Sequence, residues 1–96
     1  MIKHVVFFKF KPESDSSDRK SALEALRALP AKINAIRKFE VGENIIPQAR
    51  AWDAVLIAEY DDLKSLDEYT VHPDHQALIV RMGAVCQSVA SVDYEF

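Results

Sequence analysis

The run Tyr69-Thr70-Val71-His72-Pro73-Asp74-His75 holds two of the chain's three histidines and one of its three tyrosines, on either side of a proline. A neutral imidazole accepts a proton and a phenol donates a hydrogen bond, so the two together suit proton transfer beside a carbonyl group. Proline pushes the residue before it out of the α region and is at home in a first helical turn. One helix is therefore expected to end near His72 and another to start at Pro73. His75 then falls on the third residue of the new helix, where the positive end of the helix dipole disfavours the imidazolium and keeps the ring able to take a proton. Tyr69, on the preceding turn, can aim its hydroxyl at the same space.

The same residues also make sense as structure alone. A His-Pro pair at a helix boundary is commonly a cap, with His72 satisfying free backbone groups while Pro73 fixes the first turn. The His72-x-x-His75 spacing is a poor metal site, because Pro73 interrupts the helix that would align the rings and no third ligand lies nearby in sequence. No metal is expected. His4 shares a strand face with Val6 and Phe8, where a lone histidine is usually a hydrogen-bonded core residue. Tyr60, Trp52, Tyr94 and the phenylalanines read as core or dimer packing. The pairs Asp61-Asp62 and Asp67-Glu68 read as helix-start charge and a solvated face. Two glycines cannot build a nucleotide-binding loop, and no cofactor motif is present.

The elements that must position these groups follow from periodicity. Ile2 to Phe10 is a β-branched and aromatic strand, with His4, Val6, Phe8 and Phe10 on one face and Lys3, Val5, Phe7 and Lys9 on the other. After a loop from Lys11 to Ser17, Ala22, Leu23, Leu26 and Leu29 recur at helical spacing, predicting a helix from about Asp18 to Leu29 with its cap in Ser16-Ser17-Asp18. Pro30 breaks it, and Ala31 to Ile36 has room for one short turn. Arg37 to Ile45 reads as a second strand with Gly42 at a bulge or bend, and Trp52 to Tyr60 as a third strand, apolar on both faces. Asp61-Asp62 offers a cap for a helix through Leu63, Leu66 and Tyr69. The helix from Pro73 to Val85 or Cys86 turns Leu78, Ile79, Met82 and Val85 inward, and Val89 to Phe96 closes the chain as a fourth strand.

The order β-α-β-β-α-β, with the second helix split, is that of a ferredoxin-like α+β sandwich in which helices cover one face of a four-stranded antiparallel sheet. Helices cannot cover the other face, which carries Val5, Phe7, Val55 and Ile57. A homodimer packed sheet to sheet would bury it. Size agrees: 96 residues make one thin-cored domain. The chain is 49% hydrophobic and 28% charged, which excludes a disordered segment. A net charge of −3 without a basic cluster argues against nucleic-acid binding. No stretch approaches the ~18 apolar residues of a membrane span. The single cysteine, Cys86, sits among apolar residues and reads as a buried thiol in a reducing, cytoplasmic setting.

Four segments taken together resemble the stress-responsive A/B barrel (Dabb) domain family. They are the opening Ile2-Lys3-His4-Val5-Val6-Phe7-Phe8-Lys9-Phe10-Lys11, the stretch from Leu29-Pro30-Ala31-Lys32-Ile33 to Phe39-Glu40-Val41-Gly42-Glu43-Asn44, the Tyr69 to His75 run and the ending Val92-Asp93-Tyr94-Glu95. The resemblance implies a dimeric α+β barrel with a ligand cleft between each sheet and its helices, lined here by His4, Val6, Phe8 and His72. It is similar, residue by residue, to the plant polyketide cyclase that forms olivetolic acid, whose catalytic histidine and tyrosine match His75 and Tyr69. A further pocket histidine of that cyclase matches Ala54 here, so the polyketide substrate does not carry over with the fold. Three readings stand on these grounds: a homodimer that binds a small apolar carbonyl compound without a defined reaction, a cyclase or isomerase using His75 and Tyr69, and a cofactor-independent monooxygenase of the same superfamily.

Overall fold

A computed structural model describes all residues from Met1 to Phe96. Strand β1 (Ile2–Phe10) leads to helix α1 (Ser16–Arg27), a 3₁₀ turn (Leu29–Ala31), β2 (Lys38–Glu43), β3 (Ala54–Tyr60), α2 (Leu63–Val71), α3 (Pro73–Val85) and β4 (Cys86–Glu95). The four strands form one sheet in the order β2-β3-β1-β4, every pair antiparallel. This is the ferredoxin-like arrangement. No helix is long and apolar enough to cross a membrane.

The two faces of the sheet differ in what they meet. Ile2, Val6, Phe8 and Phe10 of β1 and Ala54, Leu56, Ala58 and Tyr60 of β3 are buried with Ala22, Leu23 and Leu26 of α1, Tyr69 of α2, and Leu78, Met82 and Val85 of α3. On the opposite face Val5 lies between Ile57 and Val92, and Phe7 between Val55 and Ala90. That stripe is open: Phe7 is 38% and Val92 57% exposed.

Several boundaries depart from the periodic reading for local reasons. Helix α1 starts at Ser16 because Asp15, one residue before the expected cap cluster, is its cap and accepts from the Ser17 amide. It stops at Arg27 because Pro30 has no amide hydrogen to continue the ladder, and the chain tightens into the 3₁₀ turn. Strand β3 starts at Ala54 because Asp53 is occupied with β1: its amide donates to the Phe8 carbonyl at 2.9 Å and its carboxylate accepts from the Phe10 amide at 2.7 Å. Strand β4 starts at Cys86 because Phe10 pairs with Cys86 across a register shift after Lys9. Gly42 makes no bulge, since it pairs in continuous register with Val55 at negative φ. Ile79, read as inward, is 48% exposed. Cys86 is buried, and burial raises its thiol pKa.

Leu23 is 1% exposed at the centre of the layer between α1 and the sheet. Truncation of Leu23 to Ala is expected to cost about 2–5 kcal/mol, from lost apolar transfer plus the cavity left behind. Urea unfolding at fixed protein concentration measures it, and an unchanged midpoint would show that the layer is not packed as described.

Candidate functional site

The break between α2 and α3 is one residue wide. His72 is extended (φ −60°, ψ 135°) and serves both helices: its amide donates to the Tyr69 carbonyl at 3.2 Å, and its Nδ1 accepts from the Asp74 amide at 3.1 Å. Pro73 follows as the first residue of α3. The fold-back brings the last turn of α2 against the first turn of α3, with the Tyr69 and His75 ring centroids 4.2 Å apart.

The end of α2 also sets the chemistry of His75. The last carbonyls of a helix lack intrahelical partners. That of Thr70 accepts from His75 Nδ1 at 2.9 Å and from Gln76 Nε2 at 2.6 Å. A carbonyl only accepts, so the hydrogen of neutral His75 is on Nδ1 and the lone pair is on Nε2. Burial lowers the His75 pKa below its ordinary value, and the neighbouring His4 and His72 push the same way, against the bond to Thr70. At neutral pH the ring is therefore a base with a free Nε2.

Tyr69 and His75 share a cavity of about 430 Å³ between the helix-covered face of the sheet and α3, walled mostly by apolar side chains. His4, Val6 and Phe8 of β1, Leu56 of β3 and Leu78 and Met82 of α3 line it, while Ile79 and Val89 lie toward its exposed side. Burial pushes the Tyr69 pKa up to about 12, so its hydroxyl stays protonated and able to donate. On the far side His4 Nδ1 hydrogen-bonds Asp93 Oδ1, a contact made possible because β1 and β4 pair His4 opposite Asp93. The His4 and Tyr69 ring centroids are 6.1 Å apart.

Of the residues singled out from sequence, His75, Tyr69, His4, Val6 and Phe8 meet on this one cavity. His72 is not among its lining residues and is occupied as the cap of α3. Ala54 is buried in the sheet away from the cavity and places no polar group in it. Two neighbours of the site escaped the sequence reading. Asp93 alternates with apolar residues in the closing strand and receives no role from the sequence; only the β1–β4 register sets it against His4. Tyr60 looked like packing, yet its fully buried hydroxyl stands unpartnered beside Tyr69. No group of three or more His, Cys, Asp or Glu side chains is arranged to hold a metal ion.

The chain is 33% identical over 98 residues to an uncharacterised protein of Streptomyces coelicolor, covering the full length of both. A dimeric protein of unknown function and ferredoxin-like fold from Bacteroides fragilis is 38% identical, with a TM-score of 0.85 over 99% of this chain and 95% of that one. The hydroxynitrile lyase of Passiflora edulis shares the fold at 11% identity, with a TM-score of 0.87 over 97% of this chain and 90% of that one. The stress responsive A/B barrel domain matches residues 2–96. From β1 to the last strand, the chain belongs to the stress responsive A/B barrel family.

Proposed function

We propose that this protein is a homodimer that takes a small, largely apolar carbonyl compound into the cavity of each subunit and moves a proton on the carbon next to the carbonyl. The observation that carries this reading is the pairing of a neutral His75, its Nε2 free of protein partners, with the Tyr69 hydroxyl on one apolar cavity. Tyr69 donates to the carbonyl oxygen. His75 Nε2 takes a proton from the adjacent carbon, the C–H pair moves into the enolate, and the negative charge on oxygen is held by the Tyr69 hydrogen bond. His75, now charged, returns the proton to another atom of the same compound. Return to a different carbon is an isomerisation; attack of the enolate on a second carbonyl of the same molecule, followed by protonation of the new alkoxide, is a cyclisation.

The cavity volume of about 430 Å³ admits a compound of modest size. Its polar groups are few, which favours a substrate recognised by one or two oxygens. Asp93 accepts from His4 Nδ1 and so fixes the ring on the wall opposite His75, with Nε2 left for a bound compound. The dimer is supported by the dimeric state of the Bacteroides relative and by the uncovered stripe of Val5, Phe7, Val55, Ile57 and Val92. Packing two such stripes together gives the sheet-to-sheet barrel. Simple binding without turnover is favoured instead if His75 has no effect on the bound compound.

Exchange of carbon-bound hydrogen in heavy water, followed by NMR over a panel of β-diketones and cyclic ketones, tests the chemistry. His75→Ala is expected to slow exchange by about 10²-fold or more, and equal rates for the two proteins would remove His75 from the mechanism. The wild-type rate is expected to fall as pH drops through the His75 pKa, below the ordinary imidazole value near 6.5, and to hold level through neutral pH. A rate that rises on acidification would contradict a neutral base. Light scattering is expected to give twice the 10.9 kDa chain mass, with Phe7→Asp reducing it to the monomer; a Phe7→Asp protein that stays dimeric would place the interface elsewhere.

A further inference from the structure

Tyr60 is 0% exposed and is the one residue whose buried side-chain polar atom finds no hydrogen-bond partner. A buried hydroxyl left without a partner is unfavourable, commonly by as much as a hydrogen bond is worth, and its persistence calls for a physical reason. Phenylalanine would fill the same space at the end of β3 without that penalty. The surroundings supply a reason. The Tyr60 ring lies 5.1 Å from the Tyr69 ring and 6.3 Å from His4, between the two cavity walls that carry the site. Tyr60 does not line the cavity, so a bound compound is met by Tyr69, with Tyr60 behind it.

We propose that Tyr60 is a positioning residue for Tyr69: its sealed hydroxyl donates to Tyr69 Oη when that oxygen gathers negative charge, and so keeps the Tyr69 hydrogen directed into the cavity. The proposal rests on the reading of Tyr69 as the group that meets the substrate oxygen. The direction of donation follows from the surroundings. Tyr69 lines the cavity and Tyr60 does not, and the Tyr60 pKa is raised further, by burial first and then by Tyr69, so Tyr60 keeps its hydrogen when Tyr69 develops charge. No proton leaves Tyr60. In the resting protein the Tyr60 hydroxyl lacks a well-formed hydrogen bond, yet the two phenols lie close enough for Tyr60 to lower and Tyr69 to raise the other's pKa through their side chains. Charge build-up on Tyr69 Oη makes that bond worth forming, since hydrogen bonds to charged groups are roughly twice as strong as neutral ones.

The test replaces all three tyrosines with 3-fluorotyrosine, whose ring is more acidic, and follows each titration by fluorine NMR. Single Tyr→Phe variants assign the signals. In Tyr60→Phe the Tyr69 midpoint is expected to rise by about one pH unit, while Tyr94, exposed and remote, stays in place. An unmoved Tyr69 midpoint overturns the proposal, even if the melting temperature changes, because a merely structural hydroxyl alters stability without altering Tyr69. A second measurement needs no variant: the Tyr60 hydroxyl proton of the wild type at high pH, with Tyr69 ionised, is expected to be protected from water exchange and to show a cross-peak to the Tyr69 ring. Exchange at the solvent rate overturns the proposal. Activity separates it from the parent reading. With a compound that the wild type turns over, Tyr60→Phe is expected to lower kcat by about 3- to 10-fold at unchanged KM. A kcat equal to wild type, with Tyr69→Phe inactive, overturns the role of Tyr60 and leaves that of Tyr69 standing.

Discussion

Pro73 cannot continue a helical hydrogen-bond ladder and cannot follow an α-helical residue without strain, and everything at the site depends on that constraint. It forces His72 into extended backbone and ends α2 after Val71. Because the break is a single residue, the end of one helix lies against the start of the next. The Thr70 carbonyl, left without an intrahelical partner, is thereby presented to His75, whose Nδ1–H donates a hydrogen bond to it and whose Nε2 stays free. The same fold-back sets Tyr69 against the His75 ring. One covalent ring thus fixes a cap, a tautomer and a ring contact.

The sheet supplies the second wall. Strand β1 is central, with β3 on one side and β4 on the other, and its alternation divides the molecule in two. Residues with even numbers face the helices and furnish His4, Val6 and Phe8 to the cavity; of those with odd numbers, Val5 and Phe7 form part of the uncovered apolar stripe. A change of register by one residue would exchange these roles along the whole strand. In the function proposed above, the compound and the partner subunit would use opposite faces of this one strand.

The apolar character of the cavity gives its few polar groups their leverage. Burial holds Tyr69 protonated and His75 neutral, which are the states that donation to an oxygen and acceptance from a carbon require. Neither state needs a nearby charge. His4 is treated differently, because its ring is tied to a carboxylate, Asp93, across the sheet. The two imidazoles on opposite walls thus have unlike second partners, a backbone carbonyl for one and a carboxylate for the other.

Local features were legible in the sequence where a single residue type imposed them. Pro73 announced the helix break, the alternation in β1 announced which of its residues face the helices, and the order of elements announced the ferredoxin-like sheet. The Tyr69 to His75 run announced that its tyrosine and histidine would meet, because its members lie within two helical turns of each other. The placement of His72 was ambiguous because capping and pocket lining ask for the same imidazole, and the Asp74 amide took it as a cap. Strand starts shifted where Asp53 and Cys86 bond to β1, which are contacts between distant segments. By itself, the sequence determined the elements, their order and the neutral histidine beside a phenol, because proline, periodicity and helix ends act over a few residues. Only the tertiary structure decided that Asp93 meets His4 and that Tyr60 stands behind Tyr69, because strand register and layer packing join residues that no local pattern relates.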